Sequence, residues 1–204
     1  KIPSDLTVEQ ILIRSGNIGS VRIGQKLEII KLKAFLEKIG ILNKINFDIE
    51  EVGEPIPFKW GKCKLATVSF GHGITTTPLQ LAKAYAIISN GGFAVEPSLI
   101  KNELKNYQQK KRIIKAGISE KINPILRKIV TTKEGTAGLV NIEGYEVGGK
   151  TGTAQKTIVG GYSKAKVNTF AGIFPASNPK YVLIVLLDEP KTSSDYVYEY
   201  KNKK

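Results

Sequence analysis

The run Gly144–Lys156, GYEVGGKTGTAQK, constrains the fold more than any other stretch, because it can be read in two incompatible ways. Gly144 through Thr151 satisfy GxxxxGK[ST] letter for letter, the pattern of a phosphate-binding loop. Such a loop needs backbone N–H groups that converge on an anion and a helix that begins at its Lys-Thr end. Here Tyr145, Glu146 and Val147 would put two bulky side chains and a carboxylate into the cradle, and Glu146 would repel phosphate. Beyond Lys150, the residues Thr151, Gly152, Thr153, Thr157, Ile158 and Val159 make a poor helix and a good strand. The segment predicts a strand.

On a strand, alternation puts Thr151 and Thr153 on one face, two hydroxyl donors side by side, while Gly152 leaves the opposite face open to close approach. Two hydroxyls with the ammonium of Lys150 make a site for a carboxylate. The nucleotide reading keeps one further support. Tyr181 to Asp188 followed by Glu189 is an apolar run ending in two acids, similar to a magnesium-holding strand.

The rest of the chain reads as helices first and sheet last. From Asn17 to Ile39, apolar residues at Ile18, Val21, Leu27, Ile30, Phe35, Leu36 and Ile39 predict a helix in two pieces with Gly40 as its stop. Residues 43–63, with Gly53, Pro55, Pro57 and Gly61, read as an extended connector. Thr77-Pro78 predicts an N-cap and first helical turn, with an apolar stripe through Leu79, Leu81, Ala82, Tyr85 and Ile88 that ends before Gly91-Gly92. A further helix is expected from Ser119 or Asn123 to Lys133, with Pro124 near its start. Tyr145–Lys156, Val167–Phe174 and Tyr181–Asp188 are expected strands, linked by Gly160-Gly161-Tyr162 and by Ser177-Asn178-Pro179, short enough for antiparallel neighbours. The fold class is α+β in one unit: a mainly helical part over 1–143, a sheet part over 144–190 and a polar tail over 191–204.

Composition narrows function. A net charge of +13 permits anionic partners, yet the lysines are scattered. The densest basic cluster, Lys110-Lys111-Arg112 with Lys115, has no aromatic platform beyond Tyr107, so nucleic acid is not expected as a partner. Cys63 is alone, which excludes an internal disulfide, and no Cys/His cluster suggests a metal site or a cofactor. His72, also alone, sits in Gly71-His72-Gly73 and reads as a turn rather than the base of a triad. The longest apolar run, Tyr181–Leu187, is too short to span a bilayer. With no Met anywhere, the chain is expected not to start at its own initiation codon, and any export signal or anchor is expected upstream.

Three ordered stretches, RSGNIGS, VSFGHGITTTPLQLAKAYAIISNGGFAVEP and EGTAGLVNIEGYEVGGKTGTAQK, resemble the second half of the transpeptidase domain of class B penicillin-binding proteins, especially the cell-division type. The resemblance runs from residue 10 to 190 and favours the strand reading of Lys150-Thr151-Gly152-Thr153. It implies an incomplete β-lactamase-like domain in which a Ser of an SxxK motif attacks a D-Ala-D-Ala peptide bond and passes the acyl group to a neighbouring stem peptide. By the same resemblance Ser15-Gly16-Asn17 is the SxN motif: Ser15 relays a proton to the leaving amine and Asn17 holds the donor's amide. Lys150 keeps Ser15 polarised, Thr151 and Thr153 take the terminal carboxylate, and the Thr153 N–H is one oxyanion donor. The stretch FGHGITTTP is expected near the site's entrance, and Gly91-Gly92 at a helix end.

The implied partners are peptidoglycan stem peptides, β-lactam antibiotics and divisome membrane proteins, at the periplasmic face of the inner membrane. No SxxK precedes Ser15. The matches at Ser98–Lys101, Ser163–Lys166 and Ser177–Lys180 come after SxN, the last two in expected loops beside a strand, and none opens a helix as a nucleophile should. The C-terminal KTSSDYVYEYKNKK is polar where the family has an apolar covering helix, and three of the family's five strands are present. Two classes therefore stay open: part of a D,D-transpeptidase whose nucleophile lies upstream, or a non-catalytic remnant that keeps ligand contacts or a partner surface. A β-lactamase would need a water-activating base, and none is evident.

Overall fold

The computed structural model describes residues 3–50, 52–101, 111–158 and 161–191. Among the described residues five α-helices, and a 3-10 turn at Gly138–Val140, precede a three-stranded sheet: α1 (Val8–Ile13), α2 (Asn17–Lys38), α3 (Lys62–Ser69), α4 (Pro78–Ser89), α5 (Ala116–Thr131), then β1 (Gly148–Ile158), β2 (Gly161–Phe174) and β3 (Tyr181–Asp188). The sheet is antiparallel in the order β1-β2-β3, as the α+β reading requires. The polar tail from residue 192, the 159–160 part of the first strand link, and Tyr107 and Lys110 of the basic cluster lie outside the described residues.

Two cores hold the elements together. Ile13 of α1, Leu126, Ile129 and Val130 of α5, Ala137 and Ile173 of β2 form one, and through it α5 carries both α1 and the sheet. Ile39, Ile41, Ala84 and Ile87 of α4, and Ile114 form the other. Gln80 ties this second core to the connector: it completes a capping box with Thr77 at the start of α4, and its Nε2 donates to the Asn43 carbonyl at 2.6 Å while the side chain is fully buried. The N-cap expected at Thr77-Pro78 is thus observed.

The expected break in the first long helix falls at Glu28, whose φ of 63° interrupts α2. Gly40, at φ +84°, closes that helix: the Ile41 N–H returns to the Leu36 carbonyl and the Gly40 N–H to Glu37, a Schellman ending. Other boundaries need correction. The connector ends at Gly61, because α3 begins at Lys62. α5 begins at Ala116, before either expected start, and Pro124 lies inside it. Ser119 and Asn123 look like helix starts in sequence, but they are buried in α5 and serve α4 instead. The Ser119 hydroxyl donates to the Ile88 carbonyl and accepts from the Gly91 N–H, and Asn123 Nδ2 donates to the Ser89 carbonyl.

The first strand starts at Gly148, not Tyr145, because Glu146 and Val147 are used in the turn: the Glu146 carbonyl accepts from the Ala176 N–H and the Val147 carbonyl from Arg127. β2 starts at Gly161, earlier than Val167, because Tyr162–Lys166 form an exposed arm of the hairpin that carries no core-facing apolar signal. Ser163–Lys166 therefore lies within a strand, not a loop. The third strand has the expected bounds. Its outward Leu183, Val185 and Leu187 are 49%, 42% and 55% exposed, so that face has no cover among the described residues.

Candidate functional site

One wall of the site is the elbow between α1 and α2. Thr7 and Gln10 cap α1 reciprocally, and the helix ends after only six residues in the same Schellman geometry as α2: Gly16 N–H to Ile11 carbonyl, Ser15 N–H to Leu12 carbonyl. At the position where α2 uses Gly40, α1 uses Ser15, held at φ 55°. A left-handed backbone at a non-glycine residue is strained, and such strain collects at functional positions. Gly16 is the N-cap of α2, which places Asn17 on its first helical residue. Ser15 and Asn17 are both exposed.

The other wall is β1, which runs along α5. A Cβ on Gly148 would lie 3.1 Å from the Arg127 backbone nitrogen, so any larger residue would have to push strand and helix a few tenths of an ångström apart. Lys150, Thr151 and Thr153 pair with Ala171, Phe170 and Asn168 of β2. No helix begins at Lys150, which removes the phosphate cradle, and Asp188 and Glu189 of the supposed magnesium strand instead hold Lys156 at 3.1 and 2.7 Å.

The two walls meet at Lys150. Its Nζ donates to Ser15 Oγ at 2.8 Å, across 135 residues of sequence, and to the Thr151 carbonyl at 2.9 Å. Burial of the ammonium lowers its pKa below that of an ordinary lysine. Thr151 Oγ1 lies 2.7 Å from the hydroxyl of Thr136, and Thr153 is exposed one step further along β1. The structure thus brings together the Lys150 ammonium and the hydroxyls of Ser15, Thr151 and Thr136, a set suited to an anionic ligand, whereas Asn17 and Thr153 are exposed on the first turn of α2 and on β1 with no contact that joins them to it.

Thr136 is the residue that sequence reading passed over. The only signal for it is the short Glu-Gly-Thr-Ala between α5 and β1, which quotes as part of a family stretch but carries no chemistry alone. His72 sits in the expected turn, between Gly71 (φ +88°) and Gly73 (φ +68°), with its ring against Phe70 and Tyr162 at 5.2 and 6.2 Å. It borders a groove of about 560 Å³ that continues from the far end of β1 at Ala154, Gln155 and Lys156. Among the described residues no His/Cys/Asp/Glu group could hold a metal, and no helix is long and apolar enough to cross a membrane.

None of the three Ser-x-x-Lys matches has the geometry of a nucleophile. Ser98 Oγ donates to Asp48 in a non-helical segment, Ser163 is in β2, and Ser177 Oγ donates to Glu146, whose carboxyl is held below the usual range chiefly by that bond.

Comparison with known proteins identifies the family. The family model for the penicillin binding protein transpeptidase domain matches residues 1–203. The chain is 30% identical, over 92% of its length, to the peptidoglycan D,D-transpeptidase FtsI homolog of Mesostigma viride, and spans 36% of that protein. It is 32% identical, over 94% of its length, to the probable peptidoglycan D,D-transpeptidase PenA of Neisseria flavescens, and spans 48% of it. Among solved structures, the transpeptidase domain of penicillin-binding protein 3 from Burkholderia pseudomallei superposes with a TM-score of 0.84 at 28% identity, covering 91% of this chain and 57% of that one. Penicillin-binding protein 3 of Mycobacterium tuberculosis complexed with aztreonam gives 0.79 at 27%, covering 90% of this chain and 45% of the other. The chain therefore spans less than half of these two curated relatives.

Proposed function

The chain belongs to the family of penicillin-binding protein transpeptidase domains, and from that premise we propose that it forms the Ser-x-Asn and Lys-Thr-Gly-Thr part of a peptidoglycan D,D-transpeptidase. In this reading Thr151 and Thr153 donate to the terminal carboxylate of a D-Ala-D-Ala stem peptide, with Lys150 supplying positive charge. Asn17 holds the donor's amide. A serine nucleophile, supplied from outside these 204 residues, attacks the penultimate carbonyl. The Thr153 N–H helps to hold the oxyanion, and Ser15 hands a proton to the departing D-alanine amine. An amine of a second stem then takes the acyl group and completes the cross-link. β-Lactams are proposed as ligands of the same cleft, by analogy with the relatives solved with aztreonam and ampicillin. The periplasmic face of the inner membrane, reached through an anchor outside this chain, is the proposed place of action.

The observation that carries the reading is the 2.8 Å contact between Lys150 Nζ and Ser15 Oγ. A lysine whose charge is partly desolvated, donating to an exposed serine on a strained turn, supports an acid–base role for the pair over a purely structural one. A second reading, a ligand-binding module that does not acylate, draws on the poor geometry of all three Ser-x-x-Lys matches.

A fluorescent penicillin tests both readings. The 204-residue chain alone should form no covalent adduct, and addition of the upstream half of a related transpeptidase domain, fused or as a separate fragment, should give labelling at a serine of that half. Reversible binding with no labelling in either arrangement supports the second reading. An adduct on Ser98, Ser163 or Ser177, lost on change to Ala, overturns the first.

A further inference from the structure

We propose that the loop Glu134–Ala137 is a clasp that sets the gap between Ser15 and Lys150, with Thr136 as a positioning residue for the Lys-Thr-Gly-Thr strand. Its catalytic consequence rests on the function proposed above, but its structural content does not. Two contacts of this one loop flank the Lys150–Ser15 bond, each a single residue away from it. Glu134 pairs with Arg14 at 3.7 Å, next to Ser15, and Thr136 meets Thr151 at 2.7 Å, next to Lys150.

A clasp must itself be rigid, and this loop is fixed to α5. The Gly135 N–H donates to the Thr132 carbonyl at 3.0 Å and the Ala137 N–H to the Ile129 carbonyl at 3.3 Å, while Ala137 is buried in the core shared by α1, α5 and β2. A Cβ on Gly135 would stand 2.0 Å from the Ile129 carbonyl oxygen, so the loop backbone lies directly on the last turn of α5. The two contacts are unequal. The Arg14–Glu134 pair is 30% and 46% exposed, and surface ion pairs of that kind contribute little. The work of positioning falls on Thr136.

Hydroxyl chemistry gives that contact a direction. A carboxylate only accepts, so Thr151 must donate its single proton to a bound ligand. With such a ligand bound its oxygen has to accept, which would make Thr136 the donor of a bond that either hydroxyl could otherwise donate. The relay Thr136 to Thr151 to ligand orients the Thr151 proton and steadies the strand segment whose carbonyl also receives Lys150 Nζ.

The test uses the isotope-labelled 204-residue chain and reads the solvent exchange of the Lys150 ammonium protons by NMR, a signature of its bonds to Ser15 and Thr151. Thr136→Val should speed that exchange by about three- to tenfold, the worth of one net hydrogen bond. Thr136→Ser should restore it, and Glu134→Gln should change it by less than about twofold. A second readout, the affinity of an N-acetylated D-Ala-D-Ala dipeptide, should fall with Thr136→Val and recover with Thr136→Ser. Unchanged exchange in a folded Thr136→Val chain overturns the clasp, as does a Thr136→Ser chain that behaves like Thr136→Val. Altered exchange with no dipeptide binding to any form keeps the clasp and sinks the proposed function instead. Should Thr136→Val not fold, Thr136→Ala removes the same hydroxyl, and unchanged exchange in that chain overturns the proposal.

Discussion

Ser15 offers a direct measurement of what the site costs the fold. It occupies the C′ position of a Schellman ending at φ 55°, where α2 carries Gly40 at φ +84°. A left-handed residue with a Cβ is strained by about 1–2 kcal/mol. Glycine avoids that strain but loses about 0.4–1 kcal/mol through the greater freedom of its unfolded chain. Ser15→Gly and Ser15→Ala both remove the hydroxyl that Lys150 contacts, so that loss cancels between them. The remainder is the strain less the entropy, and Ser15→Gly should be more stable than Ser15→Ala by about 0.5–1 kcal/mol. For a chain of this size that is a difference of about 1–4 °C in Tm, readable by calorimetry or urea unfolding followed by circular dichroism. At an ordinary exposed helical site alanine is the better residue by about 1 kcal/mol, so the sign alone discriminates. Gly40→Ala provides the control and should destabilise for the same reason. Equal stability of the two Ser15 variants, or an advantage for alanine, would refute the strained-elbow account.

Thr153→Val, in a form completed to acylation competence, should slow reaction with penicillin by about tenfold to a hundredfold through loss of a charge-assisted bond, while the Tm moves little because Thr153 is exposed. Gly92→Ala should cost at least about 2 kcal/mol in urea unfolding, since φ is +86° and the new Cβ would lie 2.1 Å from the Ile114 carbonyl oxygen. Burial lowers the Lys150 pKa in the folded state, so the unfolded chain binds more protons between that value and the ordinary lysine value near 10.5. The stability of the natural chain relative to Lys150→Met should therefore rise with pH across that window; a difference that falls or stays flat there contradicts a desolvated Lys150.

The three strands and α4 were legible because local chemistry and tertiary role agree in them. Thr77-Pro78 caps the helix it precedes, and Tyr181–Asp188 packs as the strand its composition favours. The misplaced start of α5 has the opposite cause. Ser119 and Asn123 are polar helix-starting types, and the fold spends that polarity on the carbonyls and N–H at the end of α4, a use that no window of sequence around them reveals. α1 was missed because six residues make too short a period to register, although the Thr7-x-x-Gln10 capping box was there to be read.

The site divides along the same line. Ser15, Asn17, Lys150, Thr151 and Thr153 announce themselves because each carries its chemistry within a motif. Thr136 does not, since the contact that singles it out, to Thr151, is made by the fold and not by a motif. Glycine spacing explains why the decoy was so close to the real signal: in Gly144-x-x-x-x-Gly149 the second glycine matches the phosphate-loop pattern, yet Gly148 and Gly149 are needed because α5 and the Phe170 ring press against β1 from its neighbours. A phosphate loop uses small residues so that backbone can approach a ligand, whereas this strand uses them so that backbone can approach backbone. What separates the two is the residues after Lys150. Thr151, Gly152 and Thr153 extend the chain instead of winding it, and the extended chain carries the lysine to Ser15 and keeps both threonines on one face of β1.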